Sequence, residues 1–184
     1  VSYYYRIYLG GIVMREKHVN TKDLTKISIM AALVFAATYL IKVPSLNGYT
    51  HIGDSMVITS AIILGKKKGA LAAGLGAALC DLLSGYMQYI VPTFLIKALI
   101  VLITVSIAEK LIAKTKFAWV IGAIIGCIFQ VFAYTLVETF MYGFAGAMAS
   151  VVGNIIQSTV GLVISMILVT VLEKSNVLKK LKSA

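Results

Sequence analysis

Residues 117–140 read FAWVIGAIIGCIFQVFAYTLVETF, and this stretch decides the fold class. Its 24 residues contain a single charged side chain, Glu138. A helix needs about 20 predominantly apolar residues to cross the hydrocarbon core of a bilayer. We therefore expect a transmembrane helix here, with one carboxyl group near its end.

The rest of the chain has the same character, with 60% hydrophobic and 13% charged residues. A soluble domain usually has about 45–50% apolar and about 25% charged residues. A soluble enzyme, a disordered tail and a secreted disulfide scaffold are thereby excluded. Only helices and closed barrels satisfy the backbone in lipid, and no segment shows the alternation of an outer-membrane barrel. The sequence predicts an all-α integral membrane protein, a six-transmembrane-helix bundle forming one domain over residues 24–172. Its apolar segments are Leu24–Ile41, Ile52–Leu64, Ala70–Val91, Phe94–Ala108, Phe117–Phe140 and Ala147–Leu172.

Lysine and arginine residues predict the orientation, because they accumulate in cytoplasmic loops. The parts assigned to the cytoplasm are residues 1–23, 66–68, 110–116 and 173–184. Together with Lys26 they hold 15 of the 17 basic residues, which leaves Lys42 and Lys97 on the outer side. Both termini are therefore expected in the cytoplasm, as an N-terminal segment (1–23) and a basic tail (173–184).

The first residues allow two interpretations. The codons for Gly10 and Gly11 can spell the purine-rich run that positions a bacterial ribosome before a start codon. This favours Met14 as the true start and residues 1–13 as an upstream extension. The alternative is an interfacial segment anchored by tyrosines, namely Tyr3, Tyr4, Tyr5 and Tyr8.

No catalytic or nucleotide-binding motif is present in the sequence. A phosphate loop, a metalloprotease motif and a nucleophile elbow are all missing, and His18 and His51 are too isolated to predict a metal site. The chain therefore cannot hydrolyse ATP by itself. What remains is a set of polar side chains that are costly in a membrane and usually face a cavity or a partner.

The fifth and sixth segments carry the clearest polar pattern. Gln130, Tyr134, Glu138 and Tyr142 follow one another at intervals of four, which places them near one helix face. A carboxylate flanked by phenols suits a cationic or hydrogen-bonding heteroaromatic ligand, although the same groups could bond to neighbouring helices. Asn154 and Gln157 share a face of the sixth segment and could bind the polar edge of a ligand or hold helices together.

The outer break Lys42–Asp54 is rich in turn residues, which favours a lid over an extracytoplasmic pocket. Asn47, Tyr49 and His51 are its candidate contact residues. A plain connector is the alternative. Asp54 is expected to cap the following helix rather than to bind ligand.

Two further charged residues lie at a similar outer depth. Asp81 and Lys97 would each be uncompensated alone, so an internal ion pair between them is the preferred interpretation, with ligand binding as the alternative. Tyr86, near Asp81, and Lys97 are kept as candidate binding residues.

Several of these features together resemble the substrate-binding S component of energy-coupling factor (ECF) vitamin transporters. The matching motifs are Ala32-x-x-x-Ala36, His51-x-Gly53-Asp54, Gly65-Lys66-Lys67-Lys68-Gly69, the stretch Gly74…Asp81-Leu82-Leu83-Ser84-Gly85-Tyr86 and the run Pro92-Thr93-Phe94-Leu95-Ile96-Lys97. The resemblance covers roughly residues 24–172. It is closest to the branch with riboflavin, pyridoxine-type and hydroxymethylpyrimidine members.

The resemblance implies a multi-pass protein of the bacterial cell membrane with a vitamin pocket at its outer face. It also implies a transmembrane coupling subunit and two ATPase subunits as partners, with no cofactor or enzymatic activity in this chain. Ala32 and Ala36 would dock on the coupling subunit.

The substrate is expected to be a small, neutral-to-cationic ring compound, because this suits Glu138 and its tyrosines and because Lys42 and Lys97 are the only basic residues of the predicted outer half. Hydroxymethylpyrimidine and pyridoxine or pyridoxamine are favoured, and riboflavin is next. Riboflavin members of the family tend to have a lysine where this chain has Gln157. The alternative function is a stand-alone secondary transporter of a small metabolite, although the two halves show no convincing repeat.

Overall fold

Long α-helices make up most of the protein, seen here in a computed structural model that describes residues 4–9, 12–17, 20–45, 48–111 and 117–178. The helices are α1 (Thr21–Leu40), α2 (Asp54–Ser84), α3 (Ile90–Leu111) and α4 (Ala118–Lys174). A short 3-10 turn, Met87–Tyr89, precedes α3. Asn20 caps α1 by accepting a hydrogen bond from the Lys22 backbone N–H at 3.1 Å.

Helices α2 and α4 are each bent at one glycine. Gly65 has φ 74° and ψ −168°, and Gly143 has φ 77° and ψ 168°. A residue with a Cβ is strained at such positive φ values, so glycine is the residue that permits each bend. The bends divide α2 into arms 54–64 and 66–84, and α4 into arms 118–142 and 144–174. Each of the six apolar segments of the sequence thus corresponds to α1, α3 or one of these arms.

Two short antiparallel strand pairs were not predicted from the sequence. Strands β1 (Tyr4–Leu9) and β2 (Ile12–Lys17) pair near the start of the chain. Strands β3 (Lys42–Pro44) and β4 (Tyr49–His51) pair between α1 and α2, with Val43 opposite Thr50. The segment between α1 and α2 therefore contains a strand pair, and this pairing fixes where Tyr49 and His51 lie.

The third apolar segment ends earlier than expected. The sequence extended it to Val91, but α2 ends at Ser84 because Gly85 adopts a left-handed conformation with φ 84°. The backbone N–H groups of Gly85 and Tyr86 close this end on carbonyls of the last turn. Tyr86 and Tyr89 consequently lie in the non-α connection to α3.

Large apolar side chains cover the outside of the helices, as lipid contact requires. Leu40, Phe140 and Phe144 are 77%, 84% and 69% exposed, respectively. By length and composition alone, the helices that could cross a membrane are Thr21–Leu40, Met87–Lys110 and Ala118–Lys174, among the described residues.

Inside the bundle, one buried ion pair connects three helices. The Lys97 ammonium on α3 donates to Asp54 Oδ1 at the start of α2, and both side chains are almost completely buried. Lys97 also donates to Gln130 Oε1 on α4 at 2.8 Å. Charges in an apolar interior must be paired and hydrogen-bonded, and here both are.

The amide groups around the pair complete the network. Gln130 Nε2 donates to Asp54 Oδ2 at 2.6 Å and to Ser158 Oγ at 2.8 Å, and Gln157 Nε2 donates to Asp54 Oδ2 at 3.1 Å. Ser158 and Gln157 belong to the second arm of α4, and Gln130 belongs to the first. The network therefore holds the two arms of α4 against α2 and α3. Close packing allows this, since a Cβ at Gly161 would lie 2.5 Å from that of Asp54.

Two expectations about these residues are wrong. Lys97 pairs with Asp54 and not with Asp81, because α2 begins beside Lys97 and places Asp54 within reach. Asp54 does not cap α2, whose N-cap is Gly53 without a side-chain hydrogen bond.

We expect the Lys97→Met substitution to destabilise the bundle by about 3–5 kcal/mol, since it leaves Asp54 buried without a counter-charge. The double variant Asp54→Asn/Lys97→Met should be more stable than the single one, because the amide carries no charge. Thermal unfolding of the purified protein in detergent measures both.

The matched control is Lys68→Met, which removes the exposed ion pair of Lys68 with Asp23 at 2.6 Å. An exposed pair contributes only about 0–1 kcal/mol. Equal losses for Lys97→Met and Lys68→Met would contradict the assigned role of the buried pair.

Candidate functional site

A cavity lies beside β4, where the ends of α2 and α3 meet the bend of α4. It encloses about 570 Å³ of space, including its opening to solvent. The lining residues are Thr38, Ser45, Gly48, Tyr49, Thr50, His51, Ala77, Asp81, Tyr86, Tyr89, Thr93, Tyr134, Glu138, Ser150, Gly153, Asn154 and Gln157.

An arc of tyrosine rings forms one wall of the cavity. The ring centroids of Tyr49 and Tyr86 are 5.1 Å apart, and those of Tyr86 and Tyr89 are 6.5 Å apart. Tyr142 continues the arc at 6.4 Å from Tyr89. Such an arc offers apolar contact area and stacking faces to a flat ring.

Two carboxyl groups meet this arc, and each is bound by a tyrosine. Tyr49 OH donates to Asp81 Oδ1 at 2.6 Å, and Tyr89 OH donates to Glu138 Oε1 at 3.2 Å. Burial and the neighbouring Asp81 raise the pKa of Tyr49, so its hydroxyl stays protonated and donates.

Tyr134 lines the cavity and also lies close to the buried ion pair. Tyr134 is 7% exposed and donates to Thr93 Oγ1 at 3.1 Å, and Lys97 Nζ lies 5.4 Å from its ring centroid. Lys97 itself is not among the described residues that line the cavity.

His51 and Gln157 link the cavity wall to the network below. The Gln157 amide donates to Asp54 and accepts from the His51 backbone N–H at 3.3 Å, which fixes its orientation. His51 Nδ1 accepts from the Gly53 backbone N–H at 3.0 Å. Burial, helped by the nearby Lys97 and opposed by Asp54, lowers the pKa of His51 to about 3, so the imidazole is neutral.

The structure brings together seven of the predicted binding residues: Tyr49, His51, Tyr86, Tyr134, Glu138, Asn154 and Gln157 line the cavity. Lys97 and Gln130 lie beneath it, fully buried in the network. Tyr142 is not among the lining residues; it is 40% exposed, and its hydroxyl accepts a hydrogen bond from Gln88 Nε2 at 3.3 Å. Asn47 lies outside the described residues. Binding of substrate by any of these residues stays a prediction.

Sequence reasoning missed several lining residues. Asp81 was assigned mainly to an ion pair, and Tyr89 and Thr93 were not singled out. The spacing of Tyr86 and Tyr89, three residues apart, was a usable signal for a shared face. No sequence pattern indicated that Gly48 and Gly153 line the cavity, because this depends on how β4 packs against α4.

The comparison with known sequence families decides the identity. The family described as ECF-type riboflavin transporter, S component, matches residues 18–174. The chain belongs to this family.

Individual proteins are also similar to this chain. The thiamine precursor transporter HmpT of Lactococcus lactis subsp. cremoris (strain MG1363) is 27% identical over 168 residues, covering 90% of this chain and 96% of the relative. An uncharacterized protein in gap 3'region of Pyrococcus woesei is 31% identical over 127 residues, covering 67% and 82%. A solved structure described as "Structure and mechanism of the S component of a bacterial ECF transporter" has a TM-score of 0.69 and 20% identity, covering 84% of this chain and 96% of that one.

Membership confirms the resemblance inferred from the motifs. This S component is the substrate-binding subunit of an ECF transporter, a multi-pass protein of the bacterial cell membrane and not an enzyme. The solved structure supports the all-helical membrane fold through the fold likeness alone. The alternative of a stand-alone secondary transporter is not supported.

We expect the stability of this S component to fall on mild acidification through His51. The folded pKa is below the value of about 6.5 that an unfolded histidine has, so the unfolded state binds more protons between pH 6.5 and 3. The contribution of neutral His51 is complete above pH 6.5 and is lost as the pH falls below it. Melting temperatures from pH 7.5 to 5 measure the effect.

The comparison variant is His51→Asn, whose amide oxygen can still accept from the Gly53 N–H but does not titrate. Its melting temperature should fall less steeply with acidification than that of the wild type. Parallel curves for the two proteins would refute the role of His51.

Proposed function

We propose that this S component binds a thiamine precursor, hydroxymethylpyrimidine, in the outer cavity and delivers it inward as part of an ECF complex. Pyridoxine or pyridoxamine is the next candidate, followed by riboflavin. The observation that carries the proposal is the lining of the cavity: two carboxyl groups, an arc of tyrosines and, among the described residues, no lysine or arginine.

The chemistry of hydroxymethylpyrimidine fits this lining. The molecule is a flat ring with an amino group, a hydroxymethyl group and ring nitrogens, so it offers hydrogen-bond donors to carboxylates and a face to tyrosines. An anionic vitamin such as biotin, folate or pantothenate would need a cation, and Lys97 is already paired with Asp54. The name of the Lactococcus lactis relative, a thiamine precursor transporter, supports the same ligand.

The proposed membrane arrangement has six spans and both termini in the cytoplasm. The spans are α1, α3, the two arms of α2 and the two arms of α4. The exposed pair of Lys68 with Asp23 supports it, because it joins the basic turn after Gly65 to the start of α1 on one side of the bundle. The cavity and the β3–β4 pair then lie on the outer side.

The proposed partners are a transmembrane coupling subunit and two ATPase subunits, which supply the ATP hydrolysis that this chain cannot perform. Family membership implies such a module. Ala32 on α1 is exposed and Ala36 is partly exposed, whereas Ala31 and Val34 face the core. A strip of small side chains is thus open to a docking helix.

The substrate is tested by calorimetric titration of hydroxymethylpyrimidine, pyridoxine, pyridoxamine and riboflavin against purified protein. The Glu138→Gln variant should bind the preferred ligand about ten- to a hundredfold more weakly, the worth of a hydrogen bond to a charged group. Glu173→Gln, an exposed carboxyl in the last turn of α4, is the matched control. Unchanged affinity with a lowered melting temperature would assign Glu138 to helix packing.

Coupling is tested by Ala36→Trp, which fills the docking strip but lies outside the cavity. Ligand affinity of the isolated protein should stay constant, whereas ATP-dependent uptake by the assembled complex should fall. The control is Val163→Trp, at a position on α4 that is 51% exposed. Normal uptake by a folded Ala36→Trp complex would show that the alanine strip is not the docking surface.

A further inference from the structure

The two carboxyl groups of the cavity share an arrangement that their separate places in the sequence do not suggest. Asp81 lies on α2 and Glu138 on α4, and each is 5% exposed. One oxygen of Asp81 accepts a hydrogen bond from the Tyr49 hydroxyl, and one oxygen of Glu138 accepts a hydrogen bond from the Tyr89 hydroxyl. The hydroxyl groups of Thr93 and Ser150 also interact with Asp81 and Glu138, respectively. By donor–acceptor geometry, however, the other oxygens, Asp81 Oδ2 and Glu138 Oε2, are buried without a hydrogen-bond partner among the described residues.

A buried acceptor without a partner costs free energy, so these oxygens need an explanation. Both side chains line the cavity, and the rings of Tyr49, Tyr86 and Tyr89 connect them along one wall. A flat molecule placed against that wall would have one open carboxyl oxygen available toward each end.

We propose that Asp81 and Glu138 form a two-ended carboxyl clamp, in which each open oxygen accepts a hydrogen bond from a different donor group of the same ligand. The proposal rests on the proposed function and deepens it by setting the ligand's pattern of donors. Tyr49 and Tyr89 are positioning residues, since each occupies one oxygen of a carboxyl and thereby orients the other.

A third unpartnered atom completes the pattern. Asn154 Nδ2 is buried, lines the same cavity and has no acceptor among the described residues. It is a donor, so it requires an acceptor on the ligand, such as a ring nitrogen. The site therefore requires two donor groups and one acceptor on a flat ring.

The lysines near the clamp, Lys97 and Lys42, do not line the cavity. Lys97 is paired with Asp54, and Lys42 donates to Ser84 Oγ at 2.9 Å and lies 4.3 Å from the Tyr39 ring centroid. A phosphate or carboxylate on the ligand would meet two carboxyl groups, and no lysine or arginine is among the described residues of the cavity wall. The clamp therefore favours an unphosphorylated ligand over its phosphorylated form.

The test is a pair of double-mutant cycles between protein and ligand. The ligands are hydroxymethylpyrimidine, its analogue without the amino group and its analogue with a methyl in place of the hydroxymethyl group. Each is titrated calorimetrically against wild type, Asp81→Asn and Glu138→Gln. Asp23→Asn, a carboxyl-to-amide change far from the cavity, is the control.

Asp81→Asn should weaken binding of the parent ligand about ten- to a hundredfold. It should have little further effect on one of the two analogues, because the donor that Asp81 binds is already missing there. Glu138→Gln should show the same coupling with the other analogue. Equal weakening of all three ligands by Asp81→Asn, or coupling of both residues to one group, would overturn the clamp.

If Asp81→Asn does not fold, Tyr49→Phe provides a second test. This variant keeps the Asp81 carboxyl but removes the Tyr49 hydroxyl that orients it. This variant should weaken the parent ligand and show coupling to the same ligand group as Asp81. Absence of that coupling in a variant of wild-type melting temperature would also refute the clamp.

The proposed substrate and the clamp fail in different ways. If wild type does not bind hydroxymethylpyrimidine, the proposed substrate is wrong. The cycles are then run with pyridoxamine or riboflavin, whichever binds, and their donor-deleted analogues, with the same criterion. If none of these compounds binds, the clamp is refuted together with the ligand class.

Discussion

The cost of burying charge in an apolar bundle is the constraint on which this structure depends. Lys97 is completely buried, and its ammonium is stable there only because Asp54 and Gln130 surround it. Asp54 lies at the start of α2, Lys97 in the first half of α3 and Gln130 in the first arm of α4. The hydrogen bonds of the Lys97 ammonium therefore fix how α2, α3 and α4 are positioned relative to one another.

The same network determines what the cavity above it can bind. Because Lys97 is paired with Asp54, the carboxyl groups of Asp81 and Glu138 have no lysine or arginine beside them among the described residues of the cavity wall. Tyr134 contacts both the cavity and the network: its hydroxyl donates to Thr93, which lines the cavity, and its ring lies near Lys97 Nζ. The electrostatic character of the site thus follows from an interaction that does not touch the ligand.

Much of the fold could be predicted from the sequence, because apolar runs of helical period determine where lipid-spanning helices form. Family membership was likewise inferred from ordered motifs such as His51-x-Gly53-Asp54. The partner of Lys97 could not be predicted, since the sequence offers both Asp54 and Asp81 at a similar predicted depth. The choice depends on the bend at Gly65 and on the β3–β4 pair, which places Tyr49 on Asp81. Short strands such as Lys42–Pro44 leave too little pattern for a period of two to be seen.

The bend at Gly143 separates two properties of the site. Glu138 lies before it and Asn154 lies after it, so the gap between these two side chains is set largely by the backbone angles of one glycine. The side chains that line the cavity determine which hydrogen bonds it can make, whereas the bend of α4 determines how wide it is. Ligand size and ligand chemistry can therefore diverge independently among proteins that share this architecture.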